Sequence, residues 1–232
     1  MSCGMNNTQT LPQMTPAVAM IRTLGLIAAL CGVIIVAAYQ GTYDAVQENK
    51  RIAVERAVFK VVPAAKSIVE YFALADGKLE KVGAGETAQS GAIKFYAGYD
   101  KDGRLVGIAA EGAAKGYADT VRILFAWEPA TQQVPGFGVV SSRETPGIGD
   151  KIVLDKNFLA NFPLEARLRA DGQALAHEIQ TVKHGSKANP WEIDAIAGAT
   201  ITSRAVGKAI NDAAQILLPR IRPHLDTLKE KP

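Results

Sequence analysis

Residues 191–210 read "WEIDAIAGATITSRAVGKAI", a polar step holding Gly198 that runs straight into an apolar-periodic segment. Ala205, Val206, Ala209, Ile210, Ala213, Ala214 and Leu217 recur at three- and four-residue spacing, the stripe of a helix with one buried face. Thr202 or Ser203 is expected to begin this helix and Pro219 to end it. Its many small residues allow close packing. Thr200, Thr202 and Ser203 crowd its mouth, although one hydroxyl suffices for a cap worth about 1 kcal/mol. A helix start preceded by glycine is also an anion site, because unpaired N–H groups and the positive end of the macrodipole point at one place. A phosphate there would meet the amides of Ile201, Thr202 and Ser203. Cap and phosphate site stand as equal readings on these residues alone.

Upstream, the period changes from helical to alternating. In "AIKFYAGYDKDGRLVGIAAEG" two extended runs flank Asp-Gly, a hairpin signal. In "DTVRILFAWEPATQQVPGFGVVSSRE" Val121, Ile123, Phe125 and Trp127 alternate before a turn and a second strand, which delivers the chain to "RETPGIGDKI". One short helix is expected over "DKIVLDKNFLANF". Ahead of the strands, Ile52, Val58, Phe59, Val62, Ile68, Val69 and Phe72 have mixed three- and four-residue spacing with a break at Pro63, which predicts one or two helices. Together these segments predict a single α+β domain over 45–218, followed by a polar tail, 219–232.

Before it, 17–39 reads "AVAMIRTLGLIAALCGVIIVAAY", polar only at Arg22 and Thr23. At 1.5 Å per residue the uninterrupted part, 24–39, covers roughly 24 Å, and a snorkelling Arg22 extends it toward the ~30 Å bilayer core. One transmembrane helix behind a polar leader, 1–16, is the expected arrangement, with a cleaved signal peptide as the rival. Lys50, Arg51, Arg56 and Lys60 follow the span and only Arg22 precedes them, so a positive-inside count places the domain in the cytoplasm.

The bulk numbers narrow the chemistry. A chain of 232 residues, 48% hydrophobic and 21% charged, is a folded protein. Its net charge of +3 is scattered among acids without a basic stripe, so no nucleic-acid partner is expected. The two cysteines are Cys3 and Cys31, which excludes a disulfide, a C-x-x-C pair or a thiolate-held cluster in the domain. The three histidines lack metal-ligand spacing, and no metal is expected. Neither S-x-x-K nor G-x-S-x-G is present, so Thr200 and Ser203 are not expected to act as hydrolytic nucleophiles, and no catalytic residue is assigned.

One N-terminal membrane helix, "GY" before a strand pair, "RETPGIGDKI" and "DAIAGATITSRAV" together carry a resemblance covering nearly the whole chain. The chain resembles the FMN-binding domain family found in the G subunit of Rnf-type ion-translocating electron-transport complexes and in the C subunit of sodium-pumping NADH:quinone reductases. The resemblance implies FMN joined through its phosphate to a threonine side chain, which falls on Thr200. It places Asp194 at the acidic position that opens the motif read by a flavin transferase, and Gly198 and Ala199 at its small positions. The family commonly has Ser or Thr before the glycine, where this chain has Ala197. The family's E-T-P-G-L/I-G loop, which lies by the flavin ring, falls on Glu144, Thr145, Pro146, Gly147, Ile148 and Gly149. Of these, Thr200, Gly198, Ala199, Glu144, Thr145, Pro146 and Gly147, with Thr202 and Ser203 at the helix start, are the expected cofactor-binding residues.

The implied function is a single-pass, covalently flavinylated electron-transfer subunit with no independent reaction. It would work beside other membrane subunits of a ferredoxin/NAD-linked, ion-translocating complex of the bacterial inner membrane. Its domain would lie on the periplasmic side, against the charge count. The quinone-reductase subunit, or a tethered non-redox module binding a phosphate-bearing ligand, are the alternatives.

Overall fold

The structure, a computed structural model, describes residues 17–83 and 90–231; the leader, 1–16, lies outside the described residues. The chain divides into two compact units, 1–51 and 52–232. Helix α1 spans Ala17–Val61. This helix is long and apolar enough to cross a membrane. The large apolar side chains from Val18 to Val46 all stand exposed on the chain, a surface suited to lipid rather than water. The Thr23 and Thr42 hydroxyls donate to the carbonyls of Ala19 and Ala38, which satisfies these polar groups within the helix itself.

In the second unit, six strands form one antiparallel sheet: β1 (Ser67–Ala73), β2 (Leu79–Lys81), β3 (Ile93–Tyr99), β4 (Leu105–Lys115), β5 (Thr120–Trp127) and, after the two-residue β6 (Gln133–Val134), β7 (Phe137–Ser141). The order is β2-β1-β3-β4-β5-β7. Short elements follow: α2 (Lys151–Leu154), α3 (Lys156–Leu159), β8 (Leu164–Glu165), β9 (Gln180–Val182) and β10 (Glu192–Asp194). Strand β6 pairs with β8, and β9 runs parallel to β10. The long helix α4, Thr200–Ile221, precedes a 3₁₀ turn and the short α5, Leu225–Leu228.

Strand alternation sorts side chains to two faces. Phe95, Ala97, Ile108, Ala110, Ile123 and Phe125 join the core that α4 completes with Ala205, Val206, Ala209 and Ile210. Tyr96, Ala109, Leu124 and Ala126 face the other way and pack with Val58, Val61 and Val62 at the end of α1. Close approach on the α4 side depends on Gly112 of β4, because a β-carbon there would run into the Ala209 carbonyl.

The structure supports both hairpins and the α+β class, and corrects four local readings. Residues 67–73 form β1, not a helix: Val69, Tyr71 and Ala73 enter the core with a period of two, matched in register to Ala97, Phe95 and Ile93. The expected single helix after 150 is two four-residue helices. It breaks at Asp155, whose extended backbone and carboxylate, accepting from the Asn157 and Phe158 amides, start α3 anew. Pro219 does not end α4, which continues through it to Ile221. Nor is 219–232 merely a polar tail, for Ile221 and Leu228 are core residues and the Leu105 amide donates to the Lys229 carbonyl.

Replacing Gly112 with Ala should separate α4 from the sheet and lower stability by about 1–3 kcal/mol. Urea unfolding of the detergent-solubilised chain checks this.

Candidate functional site

The step leading into α4 is built from below. Asn161 clamps the backbone of Asp194, accepting from its amide at 2.9 Å and donating to its carbonyl at 3.2 Å. Two residues on, the Ile196 amide donates to Ser203 Oγ at 3.1 Å, and that hydroxyl donates to the Ala199 carbonyl at 2.9 Å. The Ala199 amide closes the turn onto the Ile196 carbonyl, and Gly198 takes a φ of +83°, a conformation that favours glycine.

This geometry corrects the expected helix start. Ala199 is the N-cap, and no side chain caps the helix. Ser203 is fully buried beneath the step, its hydroxyl committed to Ile196 and Ala199 and its amide to the Ala199 carbonyl, so neither is available to a ligand. Helical geometry leaves the amides of Thr200, Ile201 and Thr202 without intrahelical carbonyl partners. The available N–H groups therefore begin one residue earlier than Ile201.

Thr202 points toward Glu144. Its hydroxyl donates to Glu144 Oε2 at 2.6 Å. The same carboxylate accepts from three amides of the β4–β5 turn: Tyr117 at 3.3 Å, Ala118 at 3.0 Å and Asp119 at 3.3 Å. Glycines make room for it. A β-carbon at Gly116 would lie 2.5 Å from Glu144 Oε1, and one at Gly149 would overlap the Glu144 side chain. Glu144 thus joins the 116–119 turn, the 144–149 loop and the first turn of α4. Burial works to raise its pKa, but the Thr202 hydroxyl and the three amides outweigh burial and hold it below the ordinary carboxylate value.

Around this junction lies a cavity of about 430 Å³, within the range of small-molecule sites. Thr145, Ile148, Gly149, Gly198, Ala199, Thr200, Ile201 and Thr202 line it together with Glu144 and Tyr117. Six of the expected residues therefore meet there: Glu144, Thr145, Gly198, Ala199, Thr200 and Thr202. Pro146 and Gly147 lie outside the lining on an exposed turn, with Gly147 at a φ of +78°. Asp194 and Ala197 line a separate polar recess of about 240 Å³ with His184 and Lys151, and Asp194 Oδ1 accepts from the Gly185 amide. Tyr117 is not among the expected site residues, and Ile201 is expected there only through its backbone amide. Tyr117 is 70% exposed at a hairpin tip, and the signal that marks it is a large aromatic in a turn that needs none.

Because the folded pKa of Glu144 lies below its ordinary 4.5, the stability from its ionised form is complete at neutral pH and is lost as pH falls from about 4.5 through the folded value. Glu144→Ala should therefore cost about 2–3 kcal/mol at pH 7. In denaturant melts the gap from wild type should narrow toward pH 3.

Residues 116–215 match the FMN-binding domain family. The G subunit of the Na(+)-translocating ferredoxin:NAD(+) oxidoreductase complex of Acetobacterium woodii is 32% identical over 127 residues, covering 53% of this chain and 55% of that protein. The chain thus spans about half the length of that relative. The G subunit of the ion-translocating oxidoreductase complex of Haemophilus influenzae is 29% identical over 196 residues, 84% of this chain and 87% of that protein. Among solved structures, NqrC of Shewanella oneidensis shares the fold, with a TM-score of 0.60 over 78% of this chain and 99% of that one at 20% identity. Every residue lining the cavity falls within 116–215, the segment that matches the FMN-binding domain family.

Proposed function

We propose that the chain is a membrane-anchored flavoprotein subunit that carries FMN covalently on Thr200 and relays electrons within an ion-translocating ferredoxin:NAD oxidoreductase complex. The observation that carries this reading is the placement of Thr200, half-buried on the wall of a cavity of about 430 Å³ at the mouth of α4. Bound FMN would supply the electron-accepting and electron-donating ring. The protein supplies the rest. Thr200 Oγ anchors the phosphate, the orphan amides of the first helical turn donate to its oxygens, and Ile148, Ile201 and Tyr117 present apolar surface that keeps water from the ring. Among the described residues lining the cavity, Glu144 is the sole ionisable side chain other than the Tyr117 phenol, and no proton-transfer step is assigned to either.

Joining a phosphate monoester to an alcohol in water is uphill, so loading requires an activated donor. With a flavin dinucleotide as donor, the Thr200 Oγ–P bond forms while the phosphoanhydride bond breaks. A nucleoside monophosphate leaves, the hydroxyl proton passes to solvent, and no electrons change hands. A flavin transferase performs this step, and the recess around Asp194 lies on the same chain segment as Thr200. Other membrane subunits would pass and receive the electrons, and we place the domain on the periplasmic side of the inner membrane. Likeness of fold to NqrC keeps a quinone-reductase role as the second reading, whereas the curated relatives favour the G subunit of the ferredoxin-linked complex.

Mass analysis of the tryptic peptide containing Thr200, from chain coexpressed with a flavin transferase, should show the added mass of FMN less one water. Thr200→Ala should abolish flavin absorbance that survives denaturation. An unmodified wild-type peptide would contradict the covalent reading.

A further inference from the structure

The cavity is poorly equipped to hold a free phosphate. Its described lining residues include no lysine, arginine or histidine. The site's one strongly polar feature, the positive end of α4, faces a negative charge: Glu144, bonded at 2.6 Å to the Thr202 side-chain hydroxyl in the first helical turn and not to the helix amides. This carboxylate is fixed from the opposite side by the amides of Tyr117, Ala118 and Asp119, so it does not swing away to make room for a second anion. Opposing the helix dipole with a fixed negative charge leaves little net attraction for a dianionic phosphate ester. A phosphodiester at Thr200 carries one charge fewer and is retained by a covalent bond, so it needs no counter-charge.

We infer that Glu144 is a specificity-determining residue that turns free phosphate-bearing nucleotides away from the cavity, so that the site accepts flavin by covalent transfer and not by equilibrium binding of FMN. This rests on the proposal that Thr200 carries FMN, and it assigns Glu144 a role distinct from contacting the flavin ring. The apolar walls formed by Ile148, Ile201 and Tyr117 supply the affinity of the ring, and what the orphan amides offer a free phosphate the Glu144 charge offsets. FMN and riboflavin, which differ by that phosphate alone, separate the two contributions.

Full-length chain purified in detergent from cells lacking a flavin transferase would be titrated with FMN and with riboflavin, followed by flavin fluorescence. Wild type should bind the two within about twofold of each other. Glu144→Gln, which retains acceptor capacity while removing the charge, should shift the ratio about tenfold or more toward FMN. Ile201→Lys adds a cation at an exposed lining position without touching Glu144, and it should shift the ratio in the same direction even where Glu144→Gln fails to fold. Wild-type preference for FMN of tenfold or more would overturn the inference, as would an unchanged ratio in a folded Glu144→Gln or binding of neither flavin by all three chains. The mass of the Thr200 peptide separates the two levels. A flavinylated Thr200 with strong FMN preference in the unloaded chain removes the role of Glu144 alone, whereas an unmodified Thr200 removes the proposal beneath it.

Discussion

One carboxylate holds the site together. Glu144 accepts hydrogen bonds from three consecutive amides of the β4–β5 turn and from a hydroxyl in the first turn of α4. The segments it joins are distant in sequence, and an exposed ion pair of Arg143 with Asp119, at 4.0 Å, adds a weaker link between loop and turn. Each bond to a charged acceptor is worth more than a neutral one, and a half-buried carboxylate left without donors would be strongly unfavourable. Satisfying this charge therefore fixes the loop, the turn and the helix start in one arrangement. Gly116 and Gly149 follow from the same constraint, since any larger residue would occupy the volume of the Glu144 side chain.

Local periodicity made much of this fold legible. The stripe Ala205, Val206, Ala209, Ile210 on α4 and the alternation Val121, Ile123, Phe125, Trp127 on β5 both enter the core. Reading failed where two periods overlap: Ile68, Val69 and Phe72 fit a helical spacing, but the segment pairs with β3 as a strand that sends Val69, Tyr71 and Ala73 into the core shared with α4. Tertiary pairing overrode local pattern there. Pro219 misled for a different reason, because the apolar demand at Leu218 and Ile221 carries α4 past it.

At the site, Thr200, Gly198, Ala199, Glu144, Thr145 and Thr202 could be named in advance, but their jobs could not. Three hydroxyls at a helix mouth look like caps, and the structure shows that none acts as one. Ser203 braces the turn from below and Thr202 donates to Glu144, leaving Thr200 on the cavity wall. That division depends on contacts spanning 58 residues, from Glu144 to Thr202, which no local window contains.

Membrane tethering and covalent attachment would act in the same sense, each replacing an equilibrium that dilution would otherwise decide. The central claim is that the Glu144 carboxylate, and not the turn sequence itself, orders the rim of the cavity. Amide hydrogen exchange of the peptide covering 116–120, compared between wild type and Glu144→Ala, tests this most directly. The account predicts that exchange at Tyr117, Ala118 and Asp119 accelerates by about tenfold or more while the strand interiors of β4 and β5 keep their protection. Unchanged protection across that turn would contradict it.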